Sequence, residues 1–134
     1  MIPELFIFLT DSADIIKLHD MAIETYGGVP GLRDIGLLES ALSHPLMLIY
    51  YGSAEDQKIH NLAASYFFHI IKNHPFVDGN KRAGLFAALH FLNINNFDLD
   101  VEYDDLYQLA LDTAASCVNK KEIAAFFQQH IKSL

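Results

Sequence analysis

Cysteine is almost missing from this chain. Cys117 stands alone among 134 residues, which excludes a disulfide framework and a cysteine-based zinc site. It lies among small residues in a helical pattern, so plain packing is its expected role. Basic residues are scarce too: nine lysines and arginines face seventeen aspartates and glutamates, a net charge of −8. That balance argues against a surface that grips nucleic acid directly. No apolar run approaches the roughly 20 residues of a membrane span. Residues 5–9 (Leu-Phe-Ile-Phe-Leu) are too short for a signal peptide and lack its basic flank. A cytoplasmic protein with no membrane partner is expected. Repeats, low-complexity tracts and linkers are also absent, and 51% hydrophobic residues with a mean hydropathy of +0.18 argue against disorder. One domain over residues 1–134, large enough for its own core, is the expectation.

What is present is helical periodicity, nearly throughout. Ile15, Leu18, His19, Ala22, Ile23 and Tyr26 form one apolar stripe. Asp11 or Ser12 caps its start, and Gly27-Gly28 stops it. Residues 27–34 read as a structured loop, and Asp34 caps a short helix carrying Leu37, Leu38, Ala41 and Leu42. Pro45 is expected to end that helix. Residues 46–52, apolar and bounded by Pro and Gly, then read as extended. Ser53 and Asp56 have the spacing of a capping box. The most regular stripe follows, through Ile59, Leu62, Ala63, Tyr66, Phe67, Ile70 and Ile71, and predicts a central buried helix. Residues 81–95 read as a second buried helix. Residues 97–101 alternate like a connector or short strand. Leu106, Leu109, Ala110 and Thr113 mark a penultimate helix, with Asp104 and Asp105 in its first turn. Asn119 and Glu122 cap a last one carrying Ile123, Phe126, Phe127 and Ile131. The class is all-α: a compact helical bundle with one short extended flap.

One stretch is dense in chemistry, His74-Pro75-Phe76-Val77-Asp78-Gly79-Asn80-Lys81-Arg82. It joins two helices, so a tight turn runs into a helix N-terminus, where unpaired N–H groups and the dipole favour phosphate. Gly79 permits a positive φ and a close main-chain approach to an anion. Asn80 is a good cap whose amide can also meet a phosphate oxygen. Arg82 offers a planar fork and Lys81 a point charge. Lys72, Lys81 and Arg82 put three of the nine cations around this motif, which suggests an anionic ligand. Asp78 can hold Mg²⁺, which often takes one protein carboxylate beside substrate phosphates. His74 can take a proton from an incoming hydroxyl, while Phe76 points inward to anchor the loop. Taken singly, each of these residues is more often structural; their concurrence at one helix start favours a site.

Other candidates carry less. His19-Asp20 has the look of a metal-dependent HD phosphohydrolase pair, but His19 falls on an apolar stripe and the order of ligands such an enzyme needs is missing. His60 lies on the central helix, and His69, His90 and His130 read as satisfied or surface histidines. A non-catalytic module that keeps the pocket and acts through partners is the rival of another class, and the intact His74 and Asp78 weigh against it.

The motif resembles H-x-F-x-[D/E]-G-N-x-R-x-x-R of the Fic superfamily, matched by His74, Phe76, Asp78, Gly79, Asn80 and Arg82. Leu85 stands where the final arginine would be. Lysine at 81 and the loss of that arginine resemble the death-on-curing (Doc) branch, as do Leu18-His19-Asp20 and the Tyr26-to-Gly36 segment with its Gly27, Gly28, Pro30, Gly31, Leu32 and Asp34. The likeness runs over most of residues 14–95. It implies a helical toxin domain paired with an antitoxin protein in trans. Fic enzymes transfer AMP from ATP to a hydroxyl. Doc-like members, lacking the second arginine, move the γ-phosphate to a threonine of elongation factor Tu and stop translation. By that analogy ATP is the substrate and Mg²⁺ the cofactor. His74 would be the base and Asp78 the Mg²⁺ ligand, with Gly79, Asn80, Lys81 and Arg82 as the phosphate cradle. Lys72 would be a flanking cation, and residues 43–53 a flap docking the target edge-on. Loss of charge at Leu85 favours phosphoryl over adenylyl transfer, with AMP transfer as the alternative. Some Fic proteins are restrained by a glutamate followed by Gly or Asn; none of the six glutamates here is so followed, so restraint is expected from the antitoxin.

Overall fold

Asp11 and Asp34 behave as their sequence context dictates, and the helices they open set the frame. In the computed structural model, which describes residues 6–134, Asp11 accepts a hydrogen bond from the Ala13 N–H at the head of α1 (Ser12–Tyr26). Asp34 accepts from Leu37 at the head of α2 (Ile35–Tyr51). Then come α3 (Ile59–Asn73), α4 (Asn80–Ile94), β1 (Phe97–Leu99), α5 (Tyr103–Ala114), α6 (Lys120–His130) and β2 (Ile131–Ser133). Leu5 of the apolar run lies outside the described residues. The all-α reading holds, and the two strands form only a small antiparallel ribbon pairing Phe97 with Ser133 and Leu99 with Ile131.

The central helix is α3. It is buried without a break from Leu62 to Phe67, because α2, α4 and α6 all pack on it. Each buried Leu, Ile or Phe removed from water contributes about 1.5–3 kcal/mol, and α3 supplies Leu62, Phe67, Ile70 and Ile71 at once. Phe67 meets Phe127 of α6 edge-on, with ring centroids 5.4 Å apart. On the other side α4 comes very close: a Cβ on Gly84 would sit 2.7 Å from Ile71 Cγ1 and 2.9 Å from the Phe67 carbonyl. Ala83, Ala87 and Ala88 keep that seam narrow. The segment ahead of α1 is tied in by Tyr66, whose hydroxyl accepts from the Leu9 N–H at 2.9 Å and donates to the Leu9 carbonyl at 3.1 Å.

Three expectations need correction. Residues 46–51 are helical, not an extended flap: α2 runs through Pro45 to Tyr51. Pro45 lacks one N–H, but it is itself buried with Leu38, Ala41 and Leu42 on the face packed against α3, and that packing outweighs the missing bond. The Gln57 side chain then donates to the Ile49 carbonyl at the helix's end. Second, Ser53 and Asp56 do bond reciprocally, at 3.0 and 3.2 Å, yet they close a turn ahead of α3, which starts at Ile59 without a side-chain cap. Third, Cys117 is exposed, in the turn between α5 and α6, not packed. The capping box of Asn119 and Glu122 opens α6 as expected. No helix among the described residues is long and apolar enough to cross a membrane.

Candidate active site

The turn between α3 and α4 is held in place by the loop that follows α1. His74 ends α3 in a left-handed conformation, φ 53° and ψ 54°, which is uncommon for a residue with a side chain. Arg33 compensates by donating Nε and Nη2 hydrogen bonds to the His74 carbonyl, at 2.8 and 2.6 Å. The main-chain N–H groups of Arg33 and Asp34 both donate to the Pro75 carbonyl, Leu32 bridges Phe76, and the Val77 N–H donates to Gly31. The His74 side chain is exposed, and its imidazole makes no hydrogen bond among the described residues.

Beneath this turn lies a buried imidazole. His19 of α1 is 1% exposed and stacks on Phe76, with ring centroids 3.8 Å apart and planes 4° from parallel. Its Nε2 stands 2.7 Å from the Asp78 carbonyl, so the Nε2–H is the donor. Gly79 then takes φ +75°; a Cβ there would lie 3.1 Å from Ile23 and 3.2 Å from His19 Nε2. Gly79, not Asn80, is the residue before the helix. Asn80 is buried with its amide closed on the main chain of Phe76, accepting from its N–H at 2.9 Å and donating to its carbonyl at 3.0 Å.

Asp78 points the other way, into the open. Its Oδ2 accepts from the Val29 N–H at 3.0 Å and its Oδ1 from the Gly79 N–H at 2.8 Å. Those two bonds, Val29 first, hold the carboxyl below the usual carboxylate range, with smaller help from Lys81 and His19. A Cβ on Gly28 would come within 2.9 Å of Oδ2, so only glycine leaves that approach free.

Arg82, on the first turn of α4, is held by three tyrosines. Its Nε donates to the Tyr103 hydroxyl at 2.9 Å, and its guanidinium lies over the Tyr26 ring at 4.4 Å and the Tyr107 ring at 4.7 Å. Burial works against its charge, but the Tyr103 bond and the surrounding phenols outweigh it, and its pKa is raised. Together Tyr26, Gly27, Gly28, Asp78, Gly79, Lys81, Arg82 and Tyr107 line a hollow of about 230 Å³. A larger hollow of about 390 Å³ lies elsewhere, against the first turn of α6, but its walls mix Glu55 and Asp56 with Lys120 and Lys121, so no net charge selects a ligand.

Four of the residues singled out in the sequence therefore meet in one place: Asp78, Gly79, Lys81 and Arg82. Asn80 stiffens the turn with its side chain and offers only its main chain. His74 sits four residues ahead of Asp78, outside the hollow's walls. Lys72 does not reach it: its ammonium donates to the Ser116 hydroxyl, in the turn between α5 and α6. Leu85 is 1% exposed, part of the core. Sequence reasoning missed the work of His19, Arg33, Tyr103 and Tyr107. An apolar-stripe position hid the first. The four-residue spacing of the two tyrosines, one face of α5, was the signal for the last pair.

A family model described as Fic/DOC family matches residues 9–92. "Toxin Doc" of Mycolicibacterium smegmatis is 34% identical over 94 residues, covering 70% of this chain and 69% of that protein. "Protein kinase doc" of Escherichia phage P1 is 30% identical over 111 residues, covering 83% of this chain and 86% of that protein.

Proposed function

The chain belongs to the Fic/DOC family, and on that footing we propose that it is a Doc-like toxin, a protein kinase that moves the γ-phosphoryl group of ATP onto a serine or threonine hydroxyl. By analogy the target is elongation factor Tu, the consequence is blocked translation, and an antitoxin protein restrains the enzyme. One observation carries the reading: an ionised carboxylate, Asp78, shares a small hollow with Lys81, Arg82 and the main chain at the start of α4.

Mg²⁺ fits the donors present. Each oxygen of Asp78 accepts one N–H and keeps a free lone pair, and Gly28 leaves the approach clear. A single carboxylate with phosphates and water completing the shell is usual for this ion; when bound it would neutralise charge on the transferring phosphate. Lys81 and the Arg82 fork bind phosphate oxygens, aided by the N–H groups of the helix start. His74 takes the proton as the hydroxyl oxygen bonds to the γ-phosphorus; the bond to the bridging oxygen breaks and ADP leaves. General-base help of this kind is worth ~10²–10⁴-fold. Leu85 adds no second cation to the phosphates, which supports phosphoryl over adenylyl transfer.

The test uses purified protein, Mg²⁺, cell lysate and ATP labelled at the α- or the γ-phosphate, beside His74→Ala. Label passing to protein only from the γ-position, and lost in the variant, is the expected result. Transfer from the α-position would make it an adenylyltransferase, and transfer from neither would sink the enzyme reading.

A further inference from the structure

We propose that Tyr103, with Tyr26 and Tyr107, is a positioning residue: the three phenols fix the Arg82 guanidinium so that its two terminal nitrogens face an incoming phosphate. This rests on the kinase reading above and concerns residues beyond the stretch that the family model matches, because Tyr103 and Tyr107 follow residue 92.

The geometry restrains each freedom of the arginine in turn. The guanidinium carbon lies over the Tyr26 ring at 4.4 Å and over the Tyr107 ring at 4.7 Å, so two aromatic faces hold its position. The Nε–H bond to Tyr103 at 2.9 Å adds a directional restraint. The tyrosines are themselves braced. Tyr26 and Tyr103 lie 2° from parallel with centroids 5.7 Å apart, Tyr107 stacks on Tyr103 at 6.0 Å, and Phe86 of α4 backs Tyr26 and Tyr103. Nε is thus occupied, while Nη1 and Nη2, with four N–H donors between them, have no protein acceptor among the described residues.

The chemistry of the grip matters as much as its shape. In a chain with seventeen acidic residues, Arg82 makes no ion pair among the described residues; its partners are neutral phenols. A carboxylate would anchor the side chain equally well but would cancel the charge that a phosphate needs. Phenols hold it and leave the charge whole. With Leu85 in the core, Arg82 works without a second arginine, so its fixed direction replaces redundancy in number.

The decisive variant is Tyr103→Phe, which keeps the ring stack and removes only the acceptor. In the labelled-ATP transfer assay, kcat/KM is expected to fall about tenfold as Arg82 loses its fixed direction, while the melting temperature falls by only a few degrees. Tyr107→Leu should lose more, and Tyr107→Phe should recover most of that loss, since a cation needs the ring and not the hydroxyl. Wild-type kinetics in Tyr103→Phe, in an enzyme that transfers, would overturn the proposal. Should the wild type transfer nothing, the kinase reading falls, and the grip is judged with inorganic pyrophosphate by calorimetry. Tenfold weaker binding in Tyr103→Phe upholds it; equal binding, or none to the wild type, overturns it.

Discussion

Removing the His19 ring should unsettle the turn it supports, and two substitutions separate packing from positioning. His19→Ala deletes the stack on Phe76, the bond to the Asp78 carbonyl and a fully buried side chain. An aromatic pair is worth ~1 kcal/mol, the hydrogen bond ~1 kcal/mol, and the cavity ~1–2 kcal/mol, so a loss of about 3–4 kcal/mol is expected. His19→Phe restores ring and volume but not the donor, and should cost only ~1 kcal/mol. Urea unfolding measures both. The activity comparison is sharper. The Nε2–H fixes the carbonyl of the residue whose carboxylate opens into the hollow, so His19→Phe, though nearly as stable as the wild type, should transfer label at least tenfold more slowly, because ångström-scale misplacement of a site group costs up to ~10²-fold. A stable His19→Phe enzyme with the wild-type rate would reduce His19 to a core residue and refute this account.

Other outcomes follow from the same geometry. Leu85→Arg should not install a second phosphate-binding arginine: the position is 1% exposed, and an unpaired charge there should cost at least ~3 kcal/mol by thermal melting. Gly28→Ala places a Cβ 2.9 Å from Asp78 Oδ2 at φ +118°, so metal-dependent transfer should fall sharply; an unchanged Mg²⁺ dependence would count against Asp78 as the ligand. Stability should also depend on His69, which stacks on His44 at 3.6 Å and accepts from Lys120 at 3.0 Å. Burial foremost, then Lys120 and His44, pushes its pKa down to about 3 from 6.5. The folded state therefore binds fewer protons than the unfolded one between those values, and stability, full above pH 6.5, declines as the pH falls toward 3. Discounted for partial exposure, the loss at pH 5 is ~1 kcal/mol, and His69→Gln should flatten that limb of the curve.

The parts of this molecule that announced themselves were those where local chemistry and burial agree. The 3.6-residue stripe from Ile59 to Ile71 could satisfy itself only as a helix covered on most sides, and the caps at Asp11, Asp34 and Asn119 are local hydrogen bonds needing no tertiary partner. Pro45 misled because a local rule was outweighed by the face that Ala41, Leu42 and Pro45 bury. At the site, Asp78, Gly79, Lys81 and Arg82 were legible because they fall within one run of five residues. Asn80 was misassigned because an asparagine caps a helix and staples a turn with the same amide. Lys72 was misplaced because nearness in sequence at the end of α3 does not give direction, and its partner Ser116 is 44 residues on. The tyrosine grip stayed hidden because it joins α1, α4 and α5, a meeting that no single stretch encodes.

That dispersal governs when the hollow is completed as the protein is made. The motif from His74 to Arg82 is synthesised ahead of Tyr103, and α3 must wait for Lys120 and the helix behind it to cover its last face. At ~5–20 residues per second the delay is roughly 2 to 10 s. Until then a nascent chain carries every residue of the motif, with Arg82 untethered and the central helix bare along one side. The grip on Arg82 closes only as Tyr103 and Tyr107 fold back, so truncated products of interrupted synthesis would hold the motif without the contacts that fix its arginine.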